Sequence, residues 1–176
     1  MRYFKKMTGE HVYLSPMNME DAETYVKWMN DSDVTDKIGS SFRITTVDGE
    51  KKWIEKNADS YQFAIVRKSD DTLIGNCSID CVDSISQIAE VGIFIGDSSD
   101  RGNGYGTEVL KMLLDYGFYT LNLHNIMLRV FGFNSQAIRC YEKAGFKEFG
   151  RRREAYFAMG KRHDVIYMEA VRESKD

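Results

Sequence analysis

Apolar residues recur along this chain at two spacings, and segments of the two kinds alternate. Short runs with strand character occupy residues 12–14, 61–67, 73–79, 89–95, 126–131, 146–156 and 164–171. Segments with apolar residues three and four positions apart, as in amphipathic helices, occupy residues 18–30, 46–57, 104–121 and 134–144. We therefore expect a mixed α/β (α+β) fold with a central, mainly antiparallel sheet of about seven strands and about four flanking helices.

The segment 31–45 is mostly polar, and we expect a loop there although it carries Ile38 and Phe42. No linker, repeat or low-complexity stretch interrupts the chain. Its 176 residues, of which 43% are hydrophobic, suit one domain spanning residues 1–176 with a core of its own.

Composition and charge narrow the range of partners. A net charge of −3 gives no overall basic surface for nucleic acid, and the run Arg151 to Arg153 suits an exposed strand edge better than an RNA contact. Three scattered histidines and three cysteines without a C-x-x-C pair predict no metal site. No apolar run approaches the roughly 18 residues of a membrane helix, and residues 1–7 lack a signal-peptide core. We expect a cytoplasmic protein without a membrane partner.

The turn between strand 89–95 and helix 104–121 is rich in glycine. It reads Arg101, Gly102, Asn103, Gly104, Tyr105, Gly106 and Thr107. Glycine lets the backbone approach a ligand, and the first N–H groups of a helix attract anions, so this arrangement favours a diphosphate. A P-loop would need Lys after its last Gly, and a dinucleotide fingerprint would need Gly in place of Thr107.

A second motif lies at residues 134–146, in the order N-x-x-A-x-x-x-Y-x-x-x-G-F. It predicts a short helix that begins at the N-cap Asn134 and ends at Gly145. Asn134 and Tyr141 share one face, about 10 Å apart along the axis at 1.5 Å per residue. Together with R-x-x-G-x-G at residues 101–106, this motif resembles the GNAT superfamily of N-acetyltransferases. The branch that it resembles contains ribosomal-protein N-terminal acetyltransferases and spermidine acetyltransferases.

The resemblance implies the GNAT-like fold and acetyl-CoA as cosubstrate. It implies that the backbone of Ile93, Phe94 and Ile95 binds the pantetheine arm and that the turn from Arg101 to Thr107 holds the diphosphate. In the second motif, Asn134 and Ala137 would lie along the cofactor arm. Lys143 could neutralise a cofactor phosphate, although an exposed helical lysine is usually only solvated.

Two residues are candidates for proton transfer. The tyrosine that matches Tyr141 protonates the departing thiolate in the family, and a phenol with an ordinary pKa near 10 is protonated at neutral pH. A Tyr141 buried for packing alone is the alternative. Glu90 interrupts an apolar strand, which indicates a carboxylate that faces a cleft, and the resemblance implies that it acts as the general base through a water molecule. An ion-pair partner or a solvent-facing residue is its alternative.

The predicted reaction moves an acetyl group to a primary amine by direct attack in a ternary complex. The acceptor is a protein or peptide N-terminal α-amine or a small amine such as a polyamine. A spermidine site usually carries clustered acidic residues after the first helix, whereas residues 38–43 contain none. A non-catalytic acyl-CoA-binding module is the alternative function. Homo-oligomerisation and the length of the acyl chain stay open at this level.

Overall fold

Short polar side chains mark where the helices of this protein begin. In the computed structural model, which describes residues 2–173, the side chains of Asn18, Asp31 and Thr46 each accept a hydrogen bond from a backbone N–H two or three residues further on. Asn134 accepts one from Ala137 in the same way. Such caps satisfy N–H groups that have no partner inside the helix. The cap predicted at Asn134 is confirmed.

Residues 2–173 form eight β-strands and five α-helices. The strands are β1 (Met7–Thr8), β2 (Val12–Pro16), β3 (Gln62–Arg67), β4 (Thr72–Asp83), β5 (Ile88–Ile95), β6 (Asn125–Phe131), β7 (Lys147–Ala158) and β8 (Lys161–Val171). The helices are α1 (Ala22–Met29), α2 (Ser32–Ile38), α3 (Val47–Lys56), α4 (Tyr105–Tyr119) and α5 (Ser135–Ala144). Short 3-10 turns occur at Met19–Asp21 and Ser98–Asp100.

The strands hydrogen-bond in the order β1-β2-β3-β4-β5-β6-β8-β7. The pairs β1–β2, β2–β3, β3–β4, β6–β8 and β7–β8 are antiparallel, and β5–β6 is parallel. The parallel pair is joined by α4, which gives the strand–helix–strand arrangement predicted around the glycine-rich turn. The expected mixed fold with a mainly antiparallel sheet is confirmed.

The described chain divides into two compact units, and β4, β5 and α4 each contribute residues to both. The first unit comprises residues up to 78 together with 93–109. Its core lies where α1, α2 and α3 bury apolar side chains with those of β2 and β3. The buried members are Tyr3, Tyr13, Ala22, Tyr25, Trp28, Val34, Ile54, Ala64, Val66 and Leu73.

The second unit comprises residues 79–92 and 110 onward. Its buried face alternates along β6 and β8, so that Ile126 and Leu128 lie inward with Ile166 and Met168. Gly117 of α4 sits directly against Ile126, where an added Cβ would lie 2.5 Å from the side chain's terminal carbon. α4 therefore packs closely on β6.

The structure departs from the sequence-based expectation in two places. The segment predicted as a loop contains α2, which is capped by Asp31 and ends at Gly39 with φ of 76°. β1 adds a two-residue strand before the first predicted one. These two elements account for five helices where about four were expected and eight strands where about seven were expected. Met1 and residues 174–176 of the predicted domain lie outside the described residues.

Candidate active site

The C-terminal half of β5 is held tightly from one side. Ile93, Phe94 and Ile95 are each half-buried. A Cβ added to Gly75 of β4 would lie 2.2 Å from the carbonyl oxygen of Phe94, so only glycine allows this close approach. The ring of Phe94 contacts Trp28 edge-on, with 6.0 Å between ring centroids. The strand predicted to bind the pantetheine arm is therefore fixed in place by backbone and aromatic contacts.

The glycine-rich turn has the backbone conformation that its glycines predict. Gly102 and Gly104 have φ of 82° and 86°, in the left-handed region that favours glycine. The first bond of α4 runs from the N–H of Glu108 to the carbonyl of Gly104 over 3.1 Å. The N–H groups ahead of it lie at the positive end of a 15-residue helix. Apart from its two chain neighbours, no residue has an atom within 4 Å of a Cβ built on Gly104, so the turn is open on that side.

This open turn fits a diphosphate. No side chain from elsewhere in the described chain fills the space beside Gly104, and the N–H groups at the start of the helix carry a partial positive charge that attracts an anion. The side chain of Asn103 turns back to donate to the carbonyl of Ser99 over 3.0 Å. The ring of Tyr105 lies 6.5 Å from that of His11. Thr107 also makes a contact within the protein.

Arg101 is occupied by protein atoms. Its Nε donates to the carbonyl of Ile95 over 3.0 Å, and its Nη2 donates to the carbonyl of Gly96. Nη1 forms an ion pair with the carboxylate of Asp33 in α2. The sequence did not predict that Asp33 pairs with Arg101, because Asp33 lies in the segment predicted to be a loop and 68 residues away from the arginine.

A second carboxylate stands near the turn and was also missed. Glu108, in the first turn of α4, accepts hydrogen bonds from the backbone N–H groups of His11 and Val12 over 2.9 and 3.2 Å. Its Oε2 lies 3.2 Å from Nδ1 of His11. The acidic side chain is thereby held by the start of β2. The sequence does show an acidic residue in the first turn of a predicted helix, but this does not indicate that Glu108 binds the N–H groups of His11 and Val12.

Glu90, the predicted general base, lies on β5 and is partly buried. Nε of Arg129 on β6 donates to its Oε1 over 2.7 Å. The side chain of Glu90 is 25% exposed and that of Arg129 is 59% exposed. Hydrogen bonding to Glu90 raises the pKa of Arg129 further above its ordinary value. The ion pair that the sequence left as an alternative for Glu90 is present, and Arg129 is a residue that the sequence did not single out.

α5 presents the remaining predicted residues. The side-chain oxygen of Asn134 accepts from the N–H of Ala137 over 3.2 Å and thereby caps the helix. Tyr141 is buried, with its ring 6.3 Å from that of Phe146. Burial raises the pKa of the Tyr141 phenol above its ordinary value, and the neighbouring Cys140 adds to the shift. The phenol therefore keeps its proton at neutral pH.

Ala137 and Lys143 lie on the same helix in different surroundings. Ala137 is half-buried in the first turn. Lys143 is exposed in the last turn, where a cation stabilises the helix through the dipole. The stabilisation of the helix is enough to explain a lysine at this position, and no contact between Lys143 and a ligand is needed.

In residues 2–173, no group of three or more His, Cys, Asp and Glu side chains is arranged to hold a metal ion. Over the same described range, no helix is long and apolar enough to cross a membrane. The cytoplasmic location stays a prediction.

A glycine-rich turn at the start of α4, which joins the parallel strands β5 and β6, is an arrangement typical of proteins that bind a phosphate-bearing ligand. The family model described as "Acetyltransferase (GNAT) domain" matches residues 11–147. The chain belongs to the GNAT acetyltransferase family. This membership confirms the predicted class, an N-acetyltransferase with acetyl-CoA as donor, and nothing in the comparisons supports a non-catalytic acyl-CoA-binding module.

Similar proteins agree with this assignment. The Bacillus subtilis protein named "Probable N-acetyltransferase YjcK" is 32% identical over 155 residues, which are 82% of this chain and 84% of that protein. Spermidine N(1)-acetyltransferase of Vibrio cholerae is 34% identical over 117 residues, which are 66% of each chain. The crystal structure of spermidine N-acetyltransferase from Vibrio cholerae, in complex with CoA and spermine, has a TM-score of 0.83 at 25% identity and covers 93% of this chain and 96% of that one.

Proposed function

We propose that this protein transfers the acetyl group of acetyl-CoA to the primary amine of a small polyamine-like molecule, with both substrates bound together. The observation that carries the proposal is the open glycine-rich turn at the start of α4, in a chain that belongs to the GNAT family. The turn would account for the binding of acetyl-CoA, the acetyl donor. The relatives support a small amine as the acetyl acceptor.

The cofactor would be held mainly by backbone groups. N–H groups from Gly102 to Thr107 would bind the diphosphate, because two glycines with positive φ carry no side chain of their own that would keep a ligand from the backbone. The backbone of Ile93, Phe94 and Ile95 would bind the pantetheine arm in the manner of a neighbouring strand. Asn134 and Ala137 would contact the same arm from α5, and Lys143 would contribute charge at most.

Acetyl-CoA supplies the acetyl group as a thioester. An amine attacks a carbonyl only when it is neutral, and an unperturbed alkylamine is protonated at neutral pH. Glu90 would accept that proton through a water molecule at its Oε2, the oxygen not bonded to Arg129. Tyr141 would donate its phenolic proton to the departing sulfur, and the raised pKa of this phenol keeps it in the donating form.

A small polyamine is the acceptor that the comparisons favour. A relative from Vibrio cholerae is named spermidine N(1)-acetyltransferase, and a similar structure of a Vibrio cholerae spermidine N-acetyltransferase contains CoA and spermine. α2 and its cap carry Asp31, Asp33 and Asp36, but Asp33 is already paired with Arg101 and Lys37. Acidic side chains beyond Glu90 would therefore contribute less to binding a polycation than their number implies. We expect a shorter diamine or spermidine to be a better acceptor than spermine.

The decisive experiment is an acetyl-CoA-dependent thiol-release assay with a panel of acceptors. The panel contains putrescine, spermidine, spermine, amino acids, aminoglycosides and short peptides with free N-termini. Turnover with the di- and polyamines, above that with the peptides, is the expected result. Turnover with peptides alone would replace the proposed acceptor with an N-terminal α-amine. Binding of acetyl-CoA without turnover on any acceptor would count against the polyamine assignment.

A further inference from the structure

We propose that Arg101 positions the glycine-rich turn through the protein, with Asp33 of α2 as its partner, rather than contacting the diphosphate itself. This inference rests on the proposed binding of acetyl-CoA at the turn. It assigns a role in cofactor binding to Asp33, a side chain outside both sequence motifs, and it changes the role that the sequence resemblance implies for Arg101.

The hydrogen bonds of Arg101 use its guanidinium in three directions. Nε reaches the carbonyl of Ile95, Nη2 reaches the carbonyl of Gly96, and Nη1 reaches Oδ2 of Asp33. The side chain is only 15% exposed. A planar fork with rigidly spaced donors suits such a three-way contact, and the single ammonium of lysine does not reproduce it. The end of β5, the start of the turn and α2 are thereby joined at one side chain.

The charge of the guanidinium is already balanced. Asp33 lies 2.5 Å from Nη1, and Lys37 bonds the other oxygen of the same carboxylate over 2.6 Å. Hydrogen bonds from Lys37 and then from Arg101 hold the pKa of Asp33 below its ordinary value, so the carboxylate is ionised at neutral pH. An arginine meant to bind a dianionic diphosphate would be weakened by such a partner, because the carboxylate competes for the same donors.

Two roles for Arg101 therefore predict opposite results for the same substitutions. If Arg101 bound the diphosphate, Asp33→Asn would free its charge and tighten acetyl-CoA binding. If Arg101 instead holds the turn, Asp33→Asn loosens the support and weakens binding. Arg101→Lys separates the roles again, because lysine binds phosphate well as a point charge but cannot bridge two carbonyls and a carboxylate.

The experiment measures the Kd of acetyl-CoA by calorimetry for the wild type, Asp33→Asn, Arg101→Lys and the double variant. We expect Asp33→Asn to weaken binding about two- to fivefold, the range for a partly exposed ion pair. Arg101→Lys should weaken it about tenfold or more, because two hydrogen bonds to carbonyls are lost as well. The double variant should match Arg101→Lys within about twofold, since Asp33 acts through the arginine.

Lys37→Gln is the matched control, because it removes the other partner of Asp33 and changes the local charge without touching Arg101. It should leave the Kd within about twofold. Asp33→Glu should restore most of the affinity. In steady-state assays, the KM for acetyl-CoA should rise in Asp33→Asn while kcat is kept, because no reacting atom is touched. A general loss of folding would instead lower the apparent kcat and the melting temperature, and it would leave the KM of the remaining folded enzyme unchanged.

Tighter binding by Asp33→Asn, or an unchanged Kd in Arg101→Lys, would overturn the inference and leave the proposed function standing. An additive loss in the double variant would also overturn it, because Asp33 would then act independently of Arg101. A wild-type chain that does not bind acetyl-CoA would overturn the proposed function and this inference with it.

Discussion

Arg129 donates a hydrogen bond from its Nε to Oε1 of Glu90 over 2.7 Å, from the neighbouring parallel strand. The arginine is more exposed than the carboxylate that it holds. An ion pair at this level of exposure contributes about 0–1 kcal/mol to stability. It therefore orients the carboxylate of Glu90 without binding it so strongly that water or substrate could not reach it. The ion pair leaves one oxygen of the Glu90 carboxylate available to accept a proton. Substituting Glu90 and Arg129 one at a time can therefore separate a role of Glu90 in proton transfer from its role as an ion-pair partner.

Glu90→Gln should lower kcat about 100-fold, because general-base catalysis typically contributes 10²–10⁴-fold and the amide cannot accept the proton. Arg129→Gln should lower kcat much less, since the carboxylate remains. Steady-state kinetics with the best acceptor of the panel measures both. If the two variants instead lose activity equally, Glu90 acts only as an ion-pair partner and the proposed base is wrong.

Tyr141→Phe should lower kcat about 100-fold while the Kd for acetyl-CoA changes little, because the ring keeps its packing and only the proton donor is removed. The buried position and the pKa raised by burial describe a group that is protonated before the reaction. Tyr119→Phe, at a side chain 63% exposed on α4, is the control and should behave as the wild type. Equal turnover in Tyr141→Phe would show that the leaving thiolate needs no help from this phenol.

Gly104→Ala should weaken acetyl-CoA binding at least tenfold. A side chain at φ of 86° costs about 1–2 kcal/mol, and the new methyl group enters the open space proposed for the ligand. Gly160→Ala is closely matched, since Gly160 has φ of 71° and equally open surroundings in the turn between β7 and β8. Calorimetry and thermal melting should show similar losses of stability for both variants but a loss of affinity only at Gly104. A similar loss of affinity in both would indicate strain rather than a ligand.

Gly96→Ala should destabilise the protein by about 1–3 kcal/mol through overpacking. The added Cβ would lie 2.0 Å from the indole of Trp28, which is 1% exposed and has no room to move away. Gly132→Ala is the control, because its Cβ would make only ordinary contacts at 3.6 Å. Urea denaturation should show a lower midpoint for Gly96→Ala and a nearly unchanged one for Gly132→Ala. Equal midpoints would mean that the indole relaxes without cost.

The positions of the strands and of the main helices along the chain could be predicted because most of them are long enough for their periodicity to show. α2 could not, since only Val34 and Thr35 are buried in its seven residues. Its signals were the cap Asp31 and the terminator Gly39, and both also suit an ordinary polar loop. Two buried positions in seven residues are too few for a helical period to be recognised.

The candidate site, like the fold, could be predicted from the sequence only in part. The local backbone of the turn followed from its glycines, and the cap at Asn134 followed from the residue type. The partners of Arg101 and Glu90 did not follow, because Asp33 and Arg129 lie 68 and 39 residues away and meet them only through folding. Sequence motifs give the residues that touch a cofactor in a family, whereas the support of those residues differs from one chain to another.

The indole of Trp28 lies close to the backbone at Gly96, one residue after the end of β5. A slip of the strand by one residue would bring the side chain of Ile95 or Asp97 to the place where only a hydrogen fits. The indole therefore fixes the register of β5, and with it the carbonyls that Arg101 meets and the residues that β5 offers to a ligand. A contact between an aromatic ring and a glycine backbone thus helps to align the strand that is proposed to bind the cofactor.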